Sequence, residues 1–179
     1  METSEMLLPG GYRLFDQEGN MMMGNRREEF NVNNRSFLNI DMYFSQEVSG
    51  RINKLLSERP EKQILVLDLA GGTESRAVKD IEKEQKFGNR VKALNIDFAQ
   101  NIEKGEGARR VQGDATQVPL ADSCVDIVYS RQFLPFIRRF NPGHVLLVKK
   151  VLSEVARVLK PEGMAFLDDE EELSDIKSD

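Results

Sequence analysis

Three acids stand where an apolar run gives way to a turn: Asp68 in "VLDLAGGTES", Asp97 in "ALNIDFA" and Asp114 in "VQGDATQVPL". The first is followed by the small residues Ala70, Gly71 and Gly72, beside which a ligand can approach the backbone closely. A phosphate ligand would call for helix N-terminal amides and a basic side chain. This rim offers carboxylates instead, and Glu74 falls in the first turn of the following helix, so it repels phosphates. Carboxylates accept hydrogen bonds, so the pattern suits a ligand rich in donors. One acid could take a ribose diol, one the amine edge of a base and one an ammonium group; S-adenosylmethionine carries all three. Each acid also has an ordinary alternative as the cap of a turn or helix, which three successive strand ends make harder to accept. The remaining reactive residue types add little. His144, the single histidine, reads as a surface or capping residue, and Cys124, the single cysteine, as a packed thiol. No residue is an obvious general base, so the catalytic group is left unassigned, and no metal site is expected.

The elements that must position these acids follow from periodicity. Between Asp41 and Glu58, Phe44, Val48, Ile52 and Leu55 fall at helical spacing, and Pro60 ends the element. Ile64 to Leu69 is an apolar run of strand length; Thr73 can cap a helix whose buried stripe is Ala77, Val78 and Ile81, closed by Phe87-Gly88-Asn89. Further strands are expected at Val91 to Ile96, Arg109 to Gln112, Val125 to Tyr129 and Met164 to Leu167. Ahead of the last, Asn141 and Pro142 can start a helix lined by Val148, Val151, Val155 and Val158. Strands alternating with helices imply an α/β protein, a doubly wound parallel sheet of five main strands with helices on both faces. In such a sheet ligands bind outside the carboxyl ends of the strands, where all three acids lie.

Residues 62 to 168 resemble the core of the class I S-adenosylmethionine-dependent methyltransferases, most closely their small-molecule and quinone-type branch (the type 11 methyltransferase domain). "ILVLDLAGGTES" resembles the first family motif, "ALNIDFA" the second and "VQGDATQVPLADSCVDIVYS" the third and fourth, while "LSEVARVLKPEGMAFLDD" is similar to the helix, turn and strand that follow. The resemblance implies a Rossmann-like fold, S-adenosylmethionine as cofactor and methyl transfer to a small or lipophilic acceptor. By position it implies that Asp68, Ala70, Gly71 and Gly72 meet the methionine portion and Asp97 the ribose hydroxyls. It further implies that Phe98 flanks the adenine, Asp114 and Ala115 meet its amine edge, and Ser130 sits beside the sulfonium. Ala70 and Glu74 depart from the family's glycines; an alanine at the first of these costs little if its φ is negative. Phe133, Leu134, Phe136 and Ile137 could line an apolar acceptor pocket or simply pack a helix. Two rival readings are a degenerate cofactor-binding domain without catalysis and a nicotinamide-dependent oxidoreductase. Against the latter, "AGGTES" is not G-x-G-x-x-G, and Asp97 follows Gly72 by 25 residues without a phosphate-cradling feature between them.

Composition bounds these readings. A chain of 179 residues, 40% apolar and 31% charged, suits one globular core that buries about 70% of its unfolded surface. No run approaches the ~20 apolar residues of a membrane span, and the start lacks the pattern of a secretory signal, so a reducing cytoplasm is expected. The net charge of −5 is local. From Asp168 onward seven acids face one base, Lys177, while residues 1–167 carry 24 bases and 23 acids. A solvated acidic tail is expected at 169–179, a partly ordered arm at 1–40 and the methyltransferase-like domain at 41–168. The basic pairs are scattered, so nucleic acid is not indicated. The family sheet usually continues past the fifth strand; here the C-terminus is short, leaving an apolar edge. Three explanations stand open: a shortened chain, a homodimer partner covering the edge, or the acidic run guarding it.

Overall fold

The computed structural model describes residues 35–72, 74–83, 87–97, 110–140 and 144–168. The arm at 1–34, Thr73, Phe98, Arg109, the caps Asn141 and Pro142, and the tail at 169–179 lie outside them.

The six residues Ile64–Leu69 form β1, which is buried on both faces and lies in the middle of the sheet. Continuous burial of this kind is what a parallel strand with helices above and below requires. The five strands, β1, β2 (Val91–Asp97), β3 (Arg110–Gln112), β4 (Val125–Ser130) and β5 (Leu159–Leu167), are ordered β3-β2-β1-β4-β5, with every pairing parallel. The chain builds outward from β1 to β3 and then returns to the other side of β1. The order therefore reverses between β1 and β4, and that switch point is where a crevice opens.

Two helical layers cover the sheet. Helices α1 (Phe37–Tyr43), α2 (Glu47–Glu58) and α3 (Arg76–Lys83) bury Phe37, Ile40, Ile52, Leu55, Val78 and Ile81 against Ile64, Val66, Ile127 and Tyr129. Helices α4 (Phe133–Phe140) and α5 (His144–Val158) pack Leu134, Ile137, Val148, Val151 and Val155 against Leu67, Leu69 and Val128. Alternate residues of β1 thus serve opposite faces, as a strand's period of two dictates. Cys124 is half-buried against the second layer, as a packed thiol should be.

The secondary-structure elements depart from the sequence-based expectations in three places. The single helix expected from Asp41 to Glu58 is two, broken where Ser45 and Gln46 take φ of 54° and 63°. The buried Asp41 carboxylate holds the second helix by accepting from Ser49 N at 2.8 Å. Phe44, freed from the helix, packs on Phe166 with ring centroids 5.9 Å apart. The ordered layer also begins earlier than residue 41, since α1 starts at Phe37, whose N–H donates to Asp80 of α3 at 3.0 Å. The last strand is longer than Met164 to Leu167. Its pairing with β4 starts at Val125↔Leu159, shifts, and resumes at Ile127↔Met164. Beside this shift Lys160 and Arg59 grip the buried Asp126 carboxylate at 2.7 and 2.9 Å.

Candidate functional site

Register across the three central strands sets Asn95 of β2 beside Asp68 of β1, and Asp68 beside Tyr129 of β4. All three are buried, forming a polar row beneath the switch point. Asn95 is the residue that organises the turn. Its Oδ1 accepts from Gly71 N at 3.0 Å, and its amide donates to Gly72 O at 2.7 Å and Ser75 Oγ at 2.6 Å. Asp97, two residues on and on the same side of β2, accepts from Gly72 N at 2.9 Å. The turn after β1 is therefore held from below by two side chains of β2.

Glycine at 71 is a packing requirement. A Cβ there would lie 2.4 Å from Asp68 Oδ2 and 2.6 Å from Asn95 Oδ1. Gly72 has φ of +78° and faces open space, the nearest neighbouring atom being Arg35 Cδ at 4.0 Å from a notional Cβ. Ala70 departs from expectation: its φ is +60°, in the left-handed region where an L side chain costs about 1 kcal/mol or more. The position that carries glycine in related motifs does use glycine geometry here, and the alanine is strained. Its amide is nonetheless paired, donating to Ile96 O at 2.8 Å.

Arg35, which precedes α1, reaches over this turn. Its guanidinium donates to Asp68 Oδ1 at 3.4 Å and to the Arg131 carbonyl at 3.1 Å. Burial pushes the Asp68 carboxyl up to about 6; Arg35 pulls the other way without prevailing, and the neighbouring charge of Asp97 adds to the rise. Burial likewise raises the Tyr129 phenol well above its ordinary value. Asp68 Oδ2 and Tyr129 Oη are each buried without a well-formed hydrogen bond, although the phenol is near enough to act on the ionisation of the carboxyl.

Among the expected site residues, Asp68, Ala70, Gly71, Gly72 and Asp97 come together in this one group. Ser130 lies at the end of β4, fully buried, with its hydroxyl donating to Leu69 O at 2.8 Å. Asp114 and Ala115 follow β3 at the outer side. Asp114 Oδ1 accepts from Thr116 N and Oγ1, both at 2.8 Å, so it closes a turn of its own. Phe98 falls outside the described residues. In the segment after β4, Phe133, Leu134 and Ile137 of α4 are buried in the core and Phe136 is half-buried. His144 opens α5, half-buried.

Asp168, at the head of the acidic run, is only 7% exposed, one residue past the end of β5. Its Oδ2 accepts from Gln132 N, and burial pushes its carboxyl up to about 6 against the fields of Arg35 and Arg131. Sequence gave little sign of Arg35, Tyr129 or Asp168. Asn95 did leave one, as a lone amide inside an apolar strand.

A family model described as a methyltransferase domain matches residues 48–167, from α2 to the end of β5. The chain belongs to that family. Several solved structures are similar to it. The sugar N-methyltransferase KedS8 from Streptoalloteichus sp. is 16% identical, with a TM-score of 0.53 over 84% of this chain and 55% of its own. YcgJ from Bacillus subtilis is 22% identical, with a TM-score of 0.41 over 66% of this chain and 50% of its own. PH0226 from Pyrococcus horikoshii is 22% identical, with a TM-score of 0.47 over 78% and 65%. The methyltransferase domain described here thus spans about half to two thirds of the length of these relatives. No curated protein matches the chain. The five parallel strands with helices on both faces are the class I methyltransferase fold, as expected. No helix among the described residues is long and apolar enough to cross a membrane.

Proposed function

We propose that this methyltransferase domain binds S-adenosylmethionine at the switch point between β1 and β4 and transfers its methyl group to a small or lipophilic acceptor. The observation that carries the reading is the turn at Gly71 and Gly72, clamped from β2 by Asn95 and Asp97 beside the buried Asp68 carboxylate, whose Oδ1 is held by Arg35. A side chain at 71 would collide with that clamp, and 72 faces open space, so the backbone is left bare where a ligand would lie.

The donor set suits the cofactor. Asp68 would face its ammonium group and Asp97 its ribose hydroxyls, while Asp114, Ala115 and Phe98 would take the adenine. Arg35, held over the turn, is the cation for the methionine carboxylate. When bound, the group supplies a methyl on a positively charged sulfur, an electrophile strong enough that the protein's contribution is alignment and exclusion of water. Arg35 contributes to both: it tethers the segment before α1 to β1 and to the residue after β4, roofing the crevice.

Thermal-shift titration with S-adenosylhomocysteine tests the reading, with NAD as the competing nucleotide and Asp97→Asn as the control protein. A ligand bound only by the native state at ~100 times its dissociation constant adds about 2.7 kcal/mol, roughly 5 to 10 °C here. The shift is expected with S-adenosylhomocysteine, not with NAD, and reduced in Asp97→Asn. A folded protein unmoved by millimolar S-adenosylhomocysteine would instead be a degenerate domain.

A further inference from the structure

Asp168 is a buried carboxylate of which only one oxygen has a structural partner. Its Oδ2 is held by the Gln132 amide, in a turn where Gln132 itself takes φ of +66°, while Oδ1 is buried and without a partner. Two further buried nitrogens without partners belong to the cations whose fields act on it, Arg35 Nε and Arg131 Nε. A folded protein rarely leaves a buried carboxylate oxygen unpaired unless something else completes it.

Its position in the sheet indicates what that something is. Leu167 pairs with Ser130, so Asp168 lies one residue beyond the end of β4, on the far side of β4 from the glycine turn. Two strand spacings separate it from β1, about 10 Å. Strand alternation also places it on the same face as Phe166 and Tyr129, the face that α1 and Arg35 cover. If the methionine end of the cofactor starts at the turn after β1, the group that receives the methyl lies over the ends of β4 and β5.

We propose that Asp168 is the acceptor-binding carboxylate of this site, its Oδ1 taking a hydrogen bond from an N–H or O–H of the methyl acceptor. The inference rests on the S-adenosylmethionine reading above and narrows its substrate to amines and hydroxyl compounds. The acceptor's lone pair bonds to the methyl carbon, the carbon–sulfur pair stays on sulfur as the thioether forms, and the acceptor's proton passes to Oδ1 and on to solvent. Arg35 and Arg131 are the charged groups whose fields act on Asp168, and both favour its charged, accepting form against the burial that raises its pKa.

Binding alone tests this, by calorimetry with two probes. S-adenosylhomocysteine has a bare thioether, whereas sinefungin carries a protonated amine on the carbon that replaces the methylated sulfur. A carboxylate facing that position gives sinefungin a preference of about tenfold or more. Asp168→Asn should erase the preference while S-adenosylhomocysteine affinity stays within about threefold. A wild type that binds both equally, or an Asp168→Asn protein that keeps the preference, overturns the inference and leaves the cofactor reading intact. A wild type that binds neither overturns both. Should Asp168→Asn fail to fold, the ratio of the two affinities in the wild type decides: it should fall between pH 7.5 and 5 as Asp168 protonates. A ratio that stays constant rejects the role. Asp68 also titrates near 6 and acts on the added amine, so the ratio is read in Asp68→Asn as well, where its fall with pH should persist and its absence rejects the role.

Discussion

Replacing Asp68 by Asn gives the sharpest test of the electrostatics of the site. The Asp68 carboxyl moves from 3.8 to about 6 because its burial outweighs the pull of Arg35. The native state therefore holds this proton more tightly than the unfolded chain does. The contribution is fully present below pH 3.8 and is lost as pH rises through about 6. The full difference corresponds to about 3 kcal/mol, of which about 2 kcal/mol falls between pH 4.5 and 7.5. Many other groups titrate over that window, so the quantity to measure is a difference: urea denaturation of the wild type and of Asp68→Asn, each at several pH values. The stability of the wild type relative to Asp68→Asn should fall by about 2 kcal/mol from pH 4.5 to 7.5, or roughly 4 to 8 °C in Tm. A difference that stays flat means that the carboxyl is solvated after all. One that grows with pH means that the Arg35 pair dominates and the sign of the reasoning is wrong.

Three further substitutions probe the turn and the base of the sheet. Ala70→Gly should stabilise the protein by roughly 0.5 to 1 kcal/mol in urea, because relief of the φ of +60° outweighs glycine's extra chain entropy. Gly71→Ala places a methyl 2.4 Å from the buried Asp68 Oδ2, so it should cost about 3 kcal/mol and remove the S-adenosylhomocysteine thermal shift. At the opposite end of the strands, Asp126 pairs with Arg59 and Lys160 and accepts from Leu65 N at 2.9 Å. Asp126→Ala should cost about 3 kcal/mol by urea denaturation yet leave the thermal shift with S-adenosylhomocysteine in place, since it lies far from the turn.

Much of this molecule is written in local pattern. The apolar run Ile64–Leu69, the stripe Ala77, Val78 and Ile81, and the valines of α5 each state their own secondary structure through spacing alone. Their alternation leaves little choice but a parallel sheet, and the acids Asp68 and Asp97 could be assigned to its carboxyl rim because a strand's end is a local event. Other features depend on partners far away in the chain. Arg35 matters through Arg131, 96 residues later, and Asp168 through Gln132, 36 residues earlier. Strand order and register decide such pairs, and so did the break that turned one expected helix into two. The strained φ of Ala70 is likewise set by the β2 side chains that clamp its neighbours. Asp168 is the clearest case. In sequence it stands at the head of an acidic run with nothing to mark it; in the fold, parallel pairing of β5 with β4 carries it under Arg35 and Arg131, and burial changes its chemistry. Periodicity reports which face a residue shares with its near neighbours, whereas the environment of a charge is decided by what the tertiary fold brings against it.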